Sequence, residues 1–116
     1  MKTEIMLLNL FLPRTRGECI AHFRNMLQLT QIELSRQVGM DRSNISKMEN
    51  GDITVSETVW THILNRIYRD FDIEMELPFG DFRNTIELFI QKEYETRRRE
   101  DKWNEQRLSW EQETSI

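Results

Sequence analysis

The chain has 116 residues, 38% apolar and 31% charged, with two prolines, four glycines, a single cysteine and a formal net charge of −4. That length allows one small core, or a compact unit with an appendage, and excludes two large domains. The scarcity of proline and glycine favours helices over a strand-rich sandwich, so the expected class is mainly α.

Residues 1–16 read as an N-terminal apolar extension. Its apolar run, Ile5 to Leu12, is flanked by Glu4 and by Pro13-Arg14. It is too short to cross a bilayer and lacks a small-residue cleavage site. The expectation is a soluble, unexported, cytoplasmic and nucleoid-associated chain with no membrane partner. Cys19 stands alone, which excludes an internal disulfide, and neither His22 nor His62 has a metal-ligand spacing to it. No Gly-rich phosphate loop, serine elbow or paired-carboxylate frame stands out. The chain therefore reads as no enzyme, with no metal and no other cofactor.

The first helix is expected from about Gly17 to Leu27, because Ile20, Phe23 and Leu27 make one apolar stripe. Thr30 then caps a second helix, with Glu33 three residues on completing a capping box. Gly39 ends it after about two turns by taking the left-handed turn that side chains resist. Asp41 is expected to cap a third helix, Arg42 to about Glu49, stopped by Asn50-Gly51. Leu34, Ser35 and Val38 share one face of the second helix. On the third, Ile45 and Met48 point away from Arg42, Ser43, Ser46 and Lys47. Two short helices joined so tightly, with the small Ser35 allowing close approach, form a helix-turn-helix that holds the donor-bearing face of the second rigidly outward.

Charge agrees with this division. Residues 14–47 sum to +3, residues 48–80 to −5 and residues 81–116 to −2. Over a Debye length of ~8 Å, local rather than total charge decides what a surface attracts.

A fourth helix, capped by Ser56 and running to about Tyr68, turns Trp60, Ile63, Leu64 and Ile67 inward and closes residues 17–69 as one unit. In residues 70–78, Phe71, Ile73, Met75 and Leu77 alternate with acids at the period of a β-strand. A lone strand leaves its backbone groups unpaired, which points to pairing with a second copy across a twofold. The alternatives are an extended segment along the monomer, or pairing with Ile5 to Leu12. In residues 79–116, Asp81 is expected to cap a long helix with Phe82, Ile86, Phe89 and Ile90 on its apolar face. Beyond Tyr94 only Trp103, Leu108 and Trp110 remain among charges. The heptad row Phe82, Phe89, Trp103 and Trp110 faces mostly charged complements, so a self-sufficient coiled coil is not expected. Docking of residues 82–94 on the domain or on a partner subunit is.

From Ile20 to Ile67 the sequence resembles the lambda-repressor-like (Cro/repressor, XRE-type) helix-turn-helix family. The matching stretch is "FRNMLQLTQIELSRQVGMDRSNISKMENG", with Arg24, Leu27, Thr30-Gln31, Leu34, Val38-Gly39, Ile45 and Glu49-Asn50-Gly51 at the family's spacing. The resemblance implies a helix-turn-helix bundle that binds double-stranded DNA as a homodimer. It places Arg42, Ser43 and Lys47 at base-contacting positions, where Arg42 can pair with guanine O6 and N7. It places Thr30, Gln31, Asn44 and Asn50 at backbone-contacting positions, Gln31 also steadying the first base-reading side chain. Arg24 and Glu49 fall where the family has a partly buried ion pair. Asp41 departs from the pattern, since many members carry an uncharged Ser or Thr there and a carboxylate near phosphates costs affinity. Two functions remain open: a dimeric repressor of an inverted-repeat operator with half-sites ~34 Å apart, and an antitoxin-type protein that also binds and neutralises a toxin or other protein partner through its C-terminal half. A fold used only for protein binding is the third.

Overall fold

The computed structural model describes residues 13–114. Five α-helices follow in order: α1 (Arg16–Met26), α2 (Gln31–Val38), α3 (Arg42–Asn50), α4 (Glu57–Asp70) and α5 (Phe79–Thr114), with a 3-10 turn, Ile73–Met75, between the last two. The apolar stretch Ile5 to Leu12 lies outside the described residues, as do the side chains of Leu108 and Trp110.

Local chemistry explains most boundaries. The Thr15 hydroxyl accepts from the Glu18 amide and starts α1. Thr30 and Glu33 form a reciprocal capping box at α2, and Gly39 ends it with φ of 69°. Ser56 accepts from the Val59 amide at 3.2 Å and starts α4. Gly51 closes α3 with φ of 82°. Asp41 occupies the position before α3 in extended backbone, but its carboxylate makes no capping hydrogen bond.

The core collects Ile20 and Phe23 from α1, Leu34 from α2, Ile45 and Met48 from α3, and Val59, Trp60, Ile63, Leu64 and Ile67 from α4. Ile73, Phe82 and Ile86 belong to the same cluster, so the turn after α4 and the first part of α5 share one core with the helix-turn-helix. Cys19 is also fully buried there, and burial pushes its thiol well above the ordinary cysteine range.

The strand expected over Phe71, Ile73, Met75 and Leu77 is not formed. No strand occurs among the described residues, and this segment is a turn. Asp72 adopts the left-handed region at φ of 57°, which Asp tolerates better than most residues, and the chain then coils. The Glu76 amide donates to the Ile73 carbonyl at 2.9 Å, and the Leu77 amide donates to the same oxygen at 3.2 Å. The Tyr68 hydroxyl donates to the Leu77 carbonyl at 2.7 Å and ties the turn to α4. Backbone groups that a strand would have left for a second copy are thus satisfied locally. The apolar residues also do not share a face: Ile73 is fully buried, whereas Met75 is 82% exposed.

Helix α5 begins two residues before the expected Asp81 cap. The Phe82 amide donates to the Pro78 carbonyl, and Phe79 packs edge-on against Tyr68 at 5.3 Å. Aromatic packing thus initiates the helix, and Asp81 lies in its first turn, where the helix dipole favours a carboxylate. At 36 residues it is ~54 Å long, and residues 98–107 are exposed throughout.

A polar cluster fastens α5 to the body. Arg16 bridges Glu57 and Glu87, and Arg83 bridges Glu57 at 2.6 Å. The buried Trp60 donates its indole N–H to Glu87 at 3.1 Å, and the Arg16 guanidinium lies 5.1 Å from the Trp60 ring centre, within cation–π range. Hydrogen bonds from Arg16 and then Arg83 hold the Glu57 carboxyl below the usual range. Burial, with Arg66 and Arg69 nearby, holds His62 below the usual imidazole value. Both depressed groups bind fewer protons folded than unfolded, so each contributes stability above its unfolded pKa that is lost as pH falls through its folded pKa. The melting temperature is expected to decline below about pH 6.5 as His62 is driven toward protonation, and again below about pH 4.3 as Glu57 is. Calorimetry across pH checks this, with Glu57→Gln expected to flatten only the lower limb.

Candidate nucleic-acid interface

Ile45 and Met48 anchor α3 to the core, which turns its opposite face to solvent. Arg42, Ser43, Lys47 and Asn50 are exposed on it, and Asn44 is half-buried. Thr30 is exposed and Gln31 half-buried at the start of α2. The capping box takes two amides at that end, those of Glu33 and Thr30. Amides at a helix N-terminus attract anions such as phosphate.

A continuous hydrogen-bonded chain runs under this face. Arg24 donates from Nε to Glu49 Oε2 at 2.8 Å and from Nη2 to Oε1 at 3.0 Å, while its Nη1 donates to the Leu29 carbonyl at 2.8 Å. Gln31 Nε2 donates to Glu49 Oε1 at 3.1 Å, and Arg42 Nη1 donates to Gln31 Oε1 at 3.2 Å. The side chains of Arg24 and Glu49 are 13% and 7% exposed. A two-pronged pair so far from solvent is geometrically restrictive. Gln31 thereby ties Arg42, a base-reading candidate, to that pair. The family resemblance pairs Arg24 with Glu49, but the bridge from Gln31 to Glu49 joins two features that the sequence presents separately.

The far end of α3 is held by steric fit. A Cβ built on Gly17 would lie 2.2 Å from the Met48 carbonyl oxygen, so only glycine lets α1 approach the end of α3 this closely. Position 17 reads in the sequence only as a helix start. The polar cluster of Arg16, Glu57, Trp60, Arg83 and Glu87 likewise has no local signature, because its members lie up to 71 residues apart.

Of the four residues assigned to a dimer strand, Ile73 lies in the core, Phe71 and Leu77 pack against it, and Met75 projects outward. They do not form a common surface. Among the described residues, no helix is long and apolar enough to cross a membrane.

Comparison with known proteins agrees with this architecture. The helix-turn-helix family model matches residues 20–65. The chain is similar to antitoxin PezA of Streptococcus pneumoniae serotype 4, at 31% identity over 86 residues, which covers 66% of this chain and 52% of that protein. The chain thus spans about half the length of this curated relative. No solved structure matches it. Over residues 20–65, the helix order and caps agree with the helix-turn-helix family model that matches there.

Proposed function

We propose that this protein is a sequence-specific DNA-binding transcriptional regulator, and no enzyme. The observation that carries the reading is α3 itself, which presents Arg42, Ser43 and Lys47 to solvent while the Arg24–Glu49–Gln31 chain fixes it from behind. Arg42, Ser43 and Lys47 contact base edges in the major groove. Thr30, Gln31, Asn44 and Asn50 contact the phosphate backbone and set the register. A dimeric repressor would place two copies of α3 in successive major grooves of an inverted repeat. With the 71–77 segment folded into the monomer, the surface left for a second copy is the outer side of α5, where Leu88 is 65% exposed.

R42A is expected to weaken specific binding by about 1–3 kcal/mol and to relax the base preference at one position of each half-site. Fluorescence anisotropy on a selected operator and on its scrambled counterpart measures both. Equal affinity of the unmutated protein for the two DNAs would reject sequence reading.

A second reading is favoured by one observation. The similarity to antitoxin PezA spans 66% of this chain, more than the helix-turn-helix match over residues 20–65, so it extends beyond the DNA-binding segment. In this reading α5 also grips and neutralises a partner protein. Co-expression with the product of the adjacent gene, followed by co-purification, tests it. Wild-type retention of that product by a chain shortened after Tyr94 would exclude the distal half of α5 as the grip.

A further inference from the structure

Resting on the base-reading role given to α3 above, we propose that Ile32 is a further specificity-determining residue, which reads the C5-methyl group of a thymine beside the base pair contacted by Arg42. Ile32 is the second residue of α2 and is 47% exposed, whereas Leu34, two positions on, is fully buried. The fold has little use for it there. A β-branched side chain gains nothing from helical backbone. The first turn is already held by the capping box of Thr30 and Glu33 and by the Ser35 hydroxyl, which donates to the Ile32 carbonyl at 2.6 Å.

A single exposed apolar side chain is ordinary, and it is the surroundings of this one that give it a task. Ile32 lines a cavity of about 370 Å³ together with Arg24, Thr30, Gln31 and Arg42. One aliphatic wall thus stands among hydrogen-bond donors where the first turns of α2 and α3 meet. Arg42 donates to Gln31 Oε1 at 3.2 Å, and because a guanidinium carries five N–H groups it keeps donors for a base. The volume is many times the ~30 Å³ share of one water molecule, so the cavity admits the edge of a base.

The two kinds of wall select which edge. In the major groove guanine offers two acceptors, adenine an acceptor and an amino group, cytosine an amino group, and thymine its O4 acceptor with a C5-methyl. Thymine alone presents an apolar group, and Ile32 removes that group from water. Arg42 on a guanine and Ile32 on the neighbouring thymine thus read two adjacent base pairs from one cavity. This differs in kind from the phosphate contacts given to Thr30 and Gln31, which carry no sequence information.

The test uses the full chain and an operator selected by it from synthetic, unmethylated random-sequence DNA, in which thymine is the one source of a C5-methyl. Each thymine of that operator is replaced in turn by deoxyuridine, which lacks only the methyl group, and dissociation constants are measured by fluorescence anisotropy. Next to the base pair whose preference relaxes in R42A, the replacement is expected to weaken binding about fourfold, equivalent to the ~0.8 kcal/mol of one buried apolar carbon. Ile32→Ala is expected to bind the thymine and deoxyuridine operators equally, and Ile32→Val to keep most of the difference. The readout is the ratio of the two constants, so a general loss of affinity or of folded protein does not imitate the effect. An operator with no methyl-dependent thymine beside the Arg42 contact would overturn the proposal, and so would a methyl effect that Ile32→Ala leaves intact. Either result leaves sequence reading by α3 standing, whereas equal binding of the selected operator and its scrambled counterpart removes that reading and the role of Ile32 together.

Discussion

Glu49→Ala is expected to destabilise the folded chain by about 3 kcal/mol or more, the lower end of the range for removing one partner of a buried pair. The size follows from what is left behind. Arg24 keeps only the Leu29 carbonyl, and Gln31 loses the acceptor of its Nε2. A pair exposed on the surface would be worth only ~0.2 to 1 kcal/mol, and the low exposure of both side chains decides between the two cases. Urea denaturation of Glu49→Ala, Arg24→Ala and the double variant gives the coupling energy. Additive losses would show that the two residues act separately, contrary to the geometry. Any Glu49→Ala protein that still folds should also bind its operator less tightly, since Arg42 is steadied through Gln31.

Gly17→Ala is the second large effect expected, against the usual direction of that substitution. Replacing glycine by alanine inside a helix ordinarily stabilises by ~1 kcal/mol. Here the new methyl group would overlap the Met48 carbonyl oxygen at 2.2 Å, and neither a backbone oxygen nor a Cβ can rotate aside. Overpacking of this kind costs ~1–3 kcal/mol, enough to reverse the propensity gain once α1 is forced away from α3. The melting temperature should fall by several degrees. Gly80→Ala supplies the control, because nothing lies within 4 Å of its added Cβ and its backbone is helical. That variant should melt at or above the wild-type temperature, and a Gly17→Ala protein behaving the same way would remove the close contact from the account.

The helix-turn-helix was legible because its boundaries are written in local chemistry. Thr30 with Glu33, Gly39, Ser56 and Gly51 each act within a few residues of themselves, and the structure uses every one of them. The partners Arg24 and Glu49 were legible through their family positions, although they lie 25 residues apart. Segment 71–77 was not. An alternating pattern is also produced by a turn in which Ile73 is buried, Phe71 and Leu77 pack half-buried and Met75 is left out. What separates turn from strand is the left-handed Asp72 and the Tyr68 hydroxyl reaching the Leu77 carbonyl, and neither has a signature in spacing. The start of α5 was misplaced for a related reason. Asp81 looked like a cap, but the packing of Phe79 on Tyr68 brought the helix start forward to Phe79.

The distance in sequence between the two halves of the Arg16 clasp also bears on the order in which the molecule assembles. The Arg24–Glu49 pair closes a loop of 25 residues, whereas the contact of Arg16 with Glu87 closes one of 71. Loop closure costs more entropy for the longer span, and nonlocal contacts retard folding. A chain emerging from the ribosome amino terminus first exposes α1 to α4 well before Glu87 is made. The platform under Arg42 is therefore able to condense early, with α5 docking onto a helix-turn-helix that is already formed. Trp60 waits for its cover until Glu87 arrives, which makes its fluorescence a natural reporter of that last step.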